Sequence, residues 1–207
     1  MRSDRIYFEL GFMITKTKLS WWFLFCIFIL FFSVAFTTKS SALDNCSASQ
    51  TTQIAAVQSS LKVVLPKAIL KVPSNVSPSS DYKTWFGSYD SSAAKKVKDT
   101  LIAIKLLVDS SALELRCGLV VEEGCVQGQA AYVDVSLSRK RVNFCSDYFT
   151  YLPAVQTGMF AHELVHLAIS SPGDMEVAHT KETAQALNPI DASVSAYNYG
   201  FWIESLY

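Results

Sequence analysis

His162-Glu163-Leu164-Val165-His166 is the stretch on which the reading of this chain turns. Met159, Leu164, Leu167 and Ile169 recur at helical intervals around it, so the pattern predicts a helix from about Thr157. Ser171-Pro172-Gly173-Asp174 ends that helix. On a helix, positions i and i+4 lie one turn apart on one face, and two imidazoles so placed can reach a single ion. Neutral imidazole suits Zn²⁺. Glu163 projects beside the pair, where a carboxylate can take a proton from water that the ion activates and later return it. The plainer alternative is a buried helix with two satisfied core histidines. That alternative leaves an ionised carboxylate among Leu164, Val165 and Leu167, and burying one without a partner is costly. All the histidines of the chain fall between positions 162 and 179.

A catalytic zinc site has three protein ligands and an open position, so a third ligand must come from elsewhere. A metzincin arrangement needs a histidine six residues after His166, where this chain has Pro172. The near candidates are Asp174, Glu176 and His179, beyond the Pro-Gly break that turns the chain back. As isolated residues each reads equally well as part of a solvated loop.

Upstream, Ile54, Val57, Leu61, Val64 and Leu65 keep helical intervals, predicting a helix over 48–71 in which Pro66 forces a kink or break. Pro73 to Ser80 reads as loop. Asp90 is a plausible N-cap for a second helix with Val97, Leu101, Ile104 and Val108 on one face. Beyond Cys117 the period changes. Ala131, Val133, Val135 and Leu137 alternate with polar residues, and Ser138-Arg139-Lys140 can turn into a partner strand over 141–145. Short helices are expected over 177–187 and 189–205, with Pro189 in a first turn. The class is α+β, mainly helical with a small antiparallel sheet.

Composition narrows the partners. The 207 residues carry 18 Lys+Arg and 18 Asp+Glu, a balance that argues against a nucleic-acid binder working by phosphate neutralisation. Leu19 to Thr38 holds no charge; Lys16 and Lys18 precede it, and small residues through Ala42 follow. A basic, apolar, then small-residue order describes a secretory signal over 1–42, with an N-terminal membrane anchor as the alternative. Either way residues 43–207 form one exported domain, membrane-associated only if the segment is retained. Cys26 lies in the leader, leaving Cys46, Cys117, Cys125 and Cys145, an even number that suits two disulfides. Spacing alone allows three pairings. The triplets Asn45-Cys46-Ser47 and Asn75-Val76-Ser77 are consistent with export.

Several stretches together resemble the aspzincin metallopeptidases, the deuterolysin and fungal peptidyl-Lys metalloendopeptidase group. Thr84-Trp85-Phe86-Gly87 with Tyr89-Asp90 is similar to the family's approach to its second helix. Ala131-Tyr132-Val133 and Val142-Asn143-Phe144-Cys145 resemble its hairpin before the zinc helix. Asn188-Pro189, Ala192, Ala196, Asn198 and Phe201-Trp202 match its last helix at their intervals. The resemblance implies a zincin-like fold, disulfides Cys46–Cys117 and Cys125–Cys145, one zinc ion, and protein or peptide substrates.

In that family the third ligand is an aspartate in Gly-Thr-x-Asp-x-x-Tyr-Gly, whose tyrosine stabilises the oxyanion. Here Gly173-Asp174 keeps the acid while Val177 stands at the tyrosine position. The shifted register makes Glu176 the ligand and puts His179 where the tyrosine belongs; a histidine can also donate to an oxyanion. Asp174 is the preferred metal ligand on residue type, with Glu176 the alternative. Lysine-preferring members carry acids on the last helix, where this chain has Tyr197 and Gly200, so an apolar or aromatic substrate side chain is expected. Tyr197 and Tyr199 are transition-state donors or packing residues. The expectation is a secreted, monomeric zinc endopeptidase using Glu163, with a non-catalytic zinc-binding or effector protein as the alternative.

Overall fold

Ser47 opens the first long helix by a reciprocal cap: its hydroxyl accepts from the Gln50 N–H, and the Gln50 side chain accepts from the Ser47 N–H. In this computed structural model, which describes residues 43–75, 77–118, 125–126, 128–133, 140–169 and 178–207, that helix is α1, Ala48–Lys71. Its stripe of Ile54, Val57, Leu61, Val64, Leu65 and Ala68 is buried. Pro66 does not break it. The proline and Lys62, whose carbonyl loses its helical partner, both lie on the exposed face, where water can satisfy that oxygen.

A short helix not expected from the sequence, α2 (Ser80–Phe86), buries Tyr82, Trp85 and Phe86. Gly87, at φ 70°, ends it in a conformation that side chains disfavour. Asp90 then caps α3 (Ser91–Asp109), accepting from the Ser92 and Ala93 N–H groups.

The sheet has four strands in the order β1 (Leu43–Asp44), β2 (Glu114–Cys117), β4 (Arg141–Phe144) and β3 (Ala131–Val133). Only β3 and β4 are antiparallel; β2 runs parallel to both β1 and β4. The expected small sheet is therefore mixed, because β2 enters beside β4 after a helix and not through a hairpin. Glu114 and Arg141 are register partners and form an ion pair at 2.8 Å. The anticipated strand residues 135 and 137 and the turn at 138–139 lie outside the described residues.

Downstream come a 3-10 turn (Ser146–Thr150), α4 (Pro153–Ala168), α5 (Lys181–Gln185), α6 (Pro189–Ala192) and α7 (Ala196–Ser205). The helix expected over 189–205 is thus two, interrupted at Ser193–Ser195, where turn bonds replace the helical ladder. The disulfides are Cys46–Cys117 and Cys125–Cys145. The first ties the start of α1 to the end of β2; the second ties the segment before β3 to the end of β4.

All these residues fall within one compact unit, Ser40–Tyr207. Helix α4 is its central element, burying Phe160, Ala161, Leu164 and Val165 completely. Phe160 meets Phe144 edge-on, at 5.4 Å between ring centroids. On the other side, Trp202 of α7 meets Tyr82 and Phe86 of α2. Among the described residues, no helix is long and apolar enough to cross a membrane. The leader or anchor expected over 1–42 lies outside the described residues.

Candidate active site

Pro153 occupies the first turn of α4, where its missing N–H costs nothing, and the helix then carries His162, Glu163 and His166 into one cleft. The two imidazole Nε2 atoms are 3.1 Å apart. Glu163 is only 8% exposed and lines the same cleft, whose volume is about 640 Å³. Across it lie β3, with Ala131, Tyr132 and Val133, and the side of α7 that bears Tyr197, Gly200, Phe201 and Glu204.

Helix α7 reaches α4 so closely because two glycines meet. A Cβ on Gly158 would sit 2.7 Å from the Gly200 carbonyl oxygen, and one on Gly200 would sit 3.0 Å from the Gly158 carbonyl oxygen. This approach brings the Ala196 backbone against His162, where it accepts a hydrogen bond from the ring. It also sets the Tyr197 ring edge-on to His162 at 4.5 Å between centroids. Enclosure, and then the neighbouring His166, push the His162 imidazole down to about 3, which keeps it neutral.

The sequence-derived candidates divide three ways. His162, Glu163 and His166 come together. His179 stands exposed at the cleft rim, its Nδ1 2.8 Å from the Tyr197 hydroxyl. Asp174, Glu176 and Val177 lie outside the described residues, and among the described residues no cluster of three ligand-type side chains assembles. Tyr199 is a packing residue. It is fully buried against Phe86 and donates to the Ser193 carbonyl at 2.7 Å. Among the cleft residues that escaped the sequence reading are Tyr132 and Glu204. Glu204 was legible in principle, since it follows Gly200 by one helical turn.

The fold is that of a zinc peptidase. A zinc peptidase from Grifola frondosa superposes with a TM-score of 0.62 at 21% identity, over 77% of this chain and 97% of that one. No curated protein matches the sequence. Residues 71–204 match the family described as lysine-specific metallo-endopeptidase, the aspzincins, and the chain belongs to that family. It is a zinc metalloendopeptidase, whose substrates are proteins or peptides.

The residues present fit the ion. Two nitrogens bound at about 2.0–2.1 Å to one tetrahedral zinc lie roughly 3.3 Å apart, close to the spacing observed here. Ligating histidines also commonly donate their second ring N–H to a backbone carbonyl, the relation that His162 has with Ala196.

Proposed function

We propose that the protein is an exported endopeptidase in which His162, His166 and an acid, Asp174 or else Glu176, hold one zinc ion. The observation that carries this reading is the 3.1 Å approach of two imidazole nitrogens in the wall of a cleft that Glu163 also lines. Zinc held there would supply a Lewis acid to polarise the scissile carbonyl and acidify water. Glu163, shielded but open to the cleft, accepts the proton of the attacking water and delivers it to the departing amine. In the tautomer of His179 whose Nδ1 accepts from the Tyr197 hydroxyl, 2.8 Å away, the Nε2–H is left to donate to the oxyanion. Strand β3, at the edge of the described sheet, offers backbone groups with which an extended peptide can pair beside the cleft. Val155, Met159 and Phe201 make part of the wall apolar, in keeping with an uncharged substrate side chain.

Export is supported by the signal-like order of residues 1–42 and by two disulfides, which persist in oxidising compartments. N-terminal sequencing of the secreted protein tests removal of the leader: a mature start near residue 43 is expected, and an intact Met1 or Met13 contradicts it. Casein hydrolysis tests the chemistry. Wild-type protein should degrade casein and Glu163→Gln should not; equal activity in both excludes the proposed base, and inactivity of both favours a zinc-binding, non-catalytic protein.

A further inference from the structure

The cleft contains an acid with an internal partner. Glu204 stands one turn beyond Gly200 on α7 and lines the same cleft as His162 and Glu163. It reaches the cleft where α4 has no side chain: a Cβ on Gly158 would lie 3.0 Å from the Glu204 Cβ. Gly158 is itself one helical turn before His162, so the Glu204 side chain leaves α7 about one turn from His162 along both helices. By itself, an acid there, next to the Phe201 ring, would attract a cationic substrate side chain.

Lys181, the first residue of α5, changes that. Its ammonium donates to Glu204 Oε1 at 2.7 Å and lies 5.8 Å from the Phe201 ring centroid. The carboxylate side chain is 18% exposed, whereas that of the lysine is 49% exposed, so the lysine covers the acid from the solvent side. Both cation-attracting groups of this wall are thus engaged by the chain's own ammonium.

We propose that Lys181 is a specificity-determining residue: by occupying Glu204 and Phe201 it turns the cleft away from lysine and arginine side chains and toward uncharged ones. This inference rests on the peptidase reading above. A cationic substrate side chain entering here must displace Lys181 or face it as a like charge. An uncharged one can lie against Val155 and Met159 without displacing the lysine.

The test uses two fluorogenic peptides that differ only in carrying Lys or Leu beside the scissile bond. Wild-type protein should cleave the Leu peptide with the higher kcat/KM. Lys181→Met should raise the Lys-to-Leu ratio of kcat/KM by about tenfold, chiefly through KM, because the pair is partly exposed and screened. The double variant Lys181→Met/Glu204→Gln should return the ratio to the wild-type range. An unchanged ratio in Lys181→Met overturns the inference, as does a wild type that already prefers Lys. The same ratio can be read as binding, by fluorescence anisotropy of labelled peptides on Glu163→Gln protein with and without Lys181→Met. A tenfold shift in binding without any wild-type cleavage supports the role of Lys181 while rejecting the peptidase reading. Cleavage without a shift rejects the role of Lys181 alone.

Discussion

Gly158 on α4 and Gly200 on α7 face each other so closely that a β-carbon on Gly158 would meet the Gly200 carbonyl oxygen at 2.7 Å, and one on Gly200 would meet the Gly158 carbonyl oxygen at 3.0 Å. That contact sets Ala196 and Tyr197 against His162 and lets Glu204 reach the cleft. The helix-bearing histidines and the wall opposite them are therefore positioned by an absence of side chains.

Gly158→Ala should push α7 outward, since the obstructing atom is backbone and not a flexible side-chain end. Overpacking of this kind costs roughly 1–3 kcal/mol. A lowered urea midpoint, together with a fall in kcat/KM, is the expected outcome; an unchanged midpoint would show that the helices separate freely.

Glu163→Gln is nearly isosteric and keeps the helix, yet removes the proposed base. General acid–base groups contribute on the order of 10²–10⁴ in rate, so kcat should fall by at least about a hundredfold while zinc content and melting temperature stay put. Loss of zinc in this variant would instead assign Glu163 to metal binding.

Asn198 is fully buried and joins three elements: its Nδ2 donates to the Trp85 carbonyl at 2.6 Å and to the Ala184 carbonyl at 2.8 Å. Asn198→Ala removes both bonds and leaves the buried Trp85 carbonyl without its donor, while the Ala184 carbonyl keeps the Leu187 N–H. Equilibrium unfolding should record a loss of about 2 kcal/mol with the slope of the transition unchanged.

Asp90 is held below the ordinary carboxylate range by the Ser92 hydroxyl, then by the Ala93 and Ser92 N–H groups it caps. A carboxyl depressed in the folded state stabilises above its unfolded pKa, near 3.8, and that contribution is lost as pH falls through the folded value. Asp90→Ala should therefore melt lower than wild type at pH 7, and the two curves should converge once the pH has fallen through the folded value. A gap that persists in acid would mean that capping by the ionised carboxylate is not the source.

Helix α4 was legible because its pattern is long and periodic and because two histidines one turn apart need few coordinates to be seen together. The N-cap at Asp90 and Pro189 in its first turn were legible for the same local reasons. Strand β2 was not: Glu-Leu-Arg-Cys offers a single alternation, and its parallel partners are distant in sequence. Nor was the break at Ser193–Ser195, which precedes the helix whose Asn198 amide reaches the Trp85 carbonyl through a long-range bond that no local pattern announces. The Gly158–Gly200 contact depends on two helices meeting, so neither glycine signals it alone. Of the proposed site, sequence yielded the chemistry on α4; the Lys181–Glu204 pair required the fold.

Zinc content measured on purified protein by inductively coupled plasma mass spectrometry, in wild type and in His162→Ala and His166→Ala, bears on the central claim most directly. The account predicts one zinc per wild-type chain and its loss from both folded variants. A wild-type protein without zinc, or variants that retain the full complement, would contradict it.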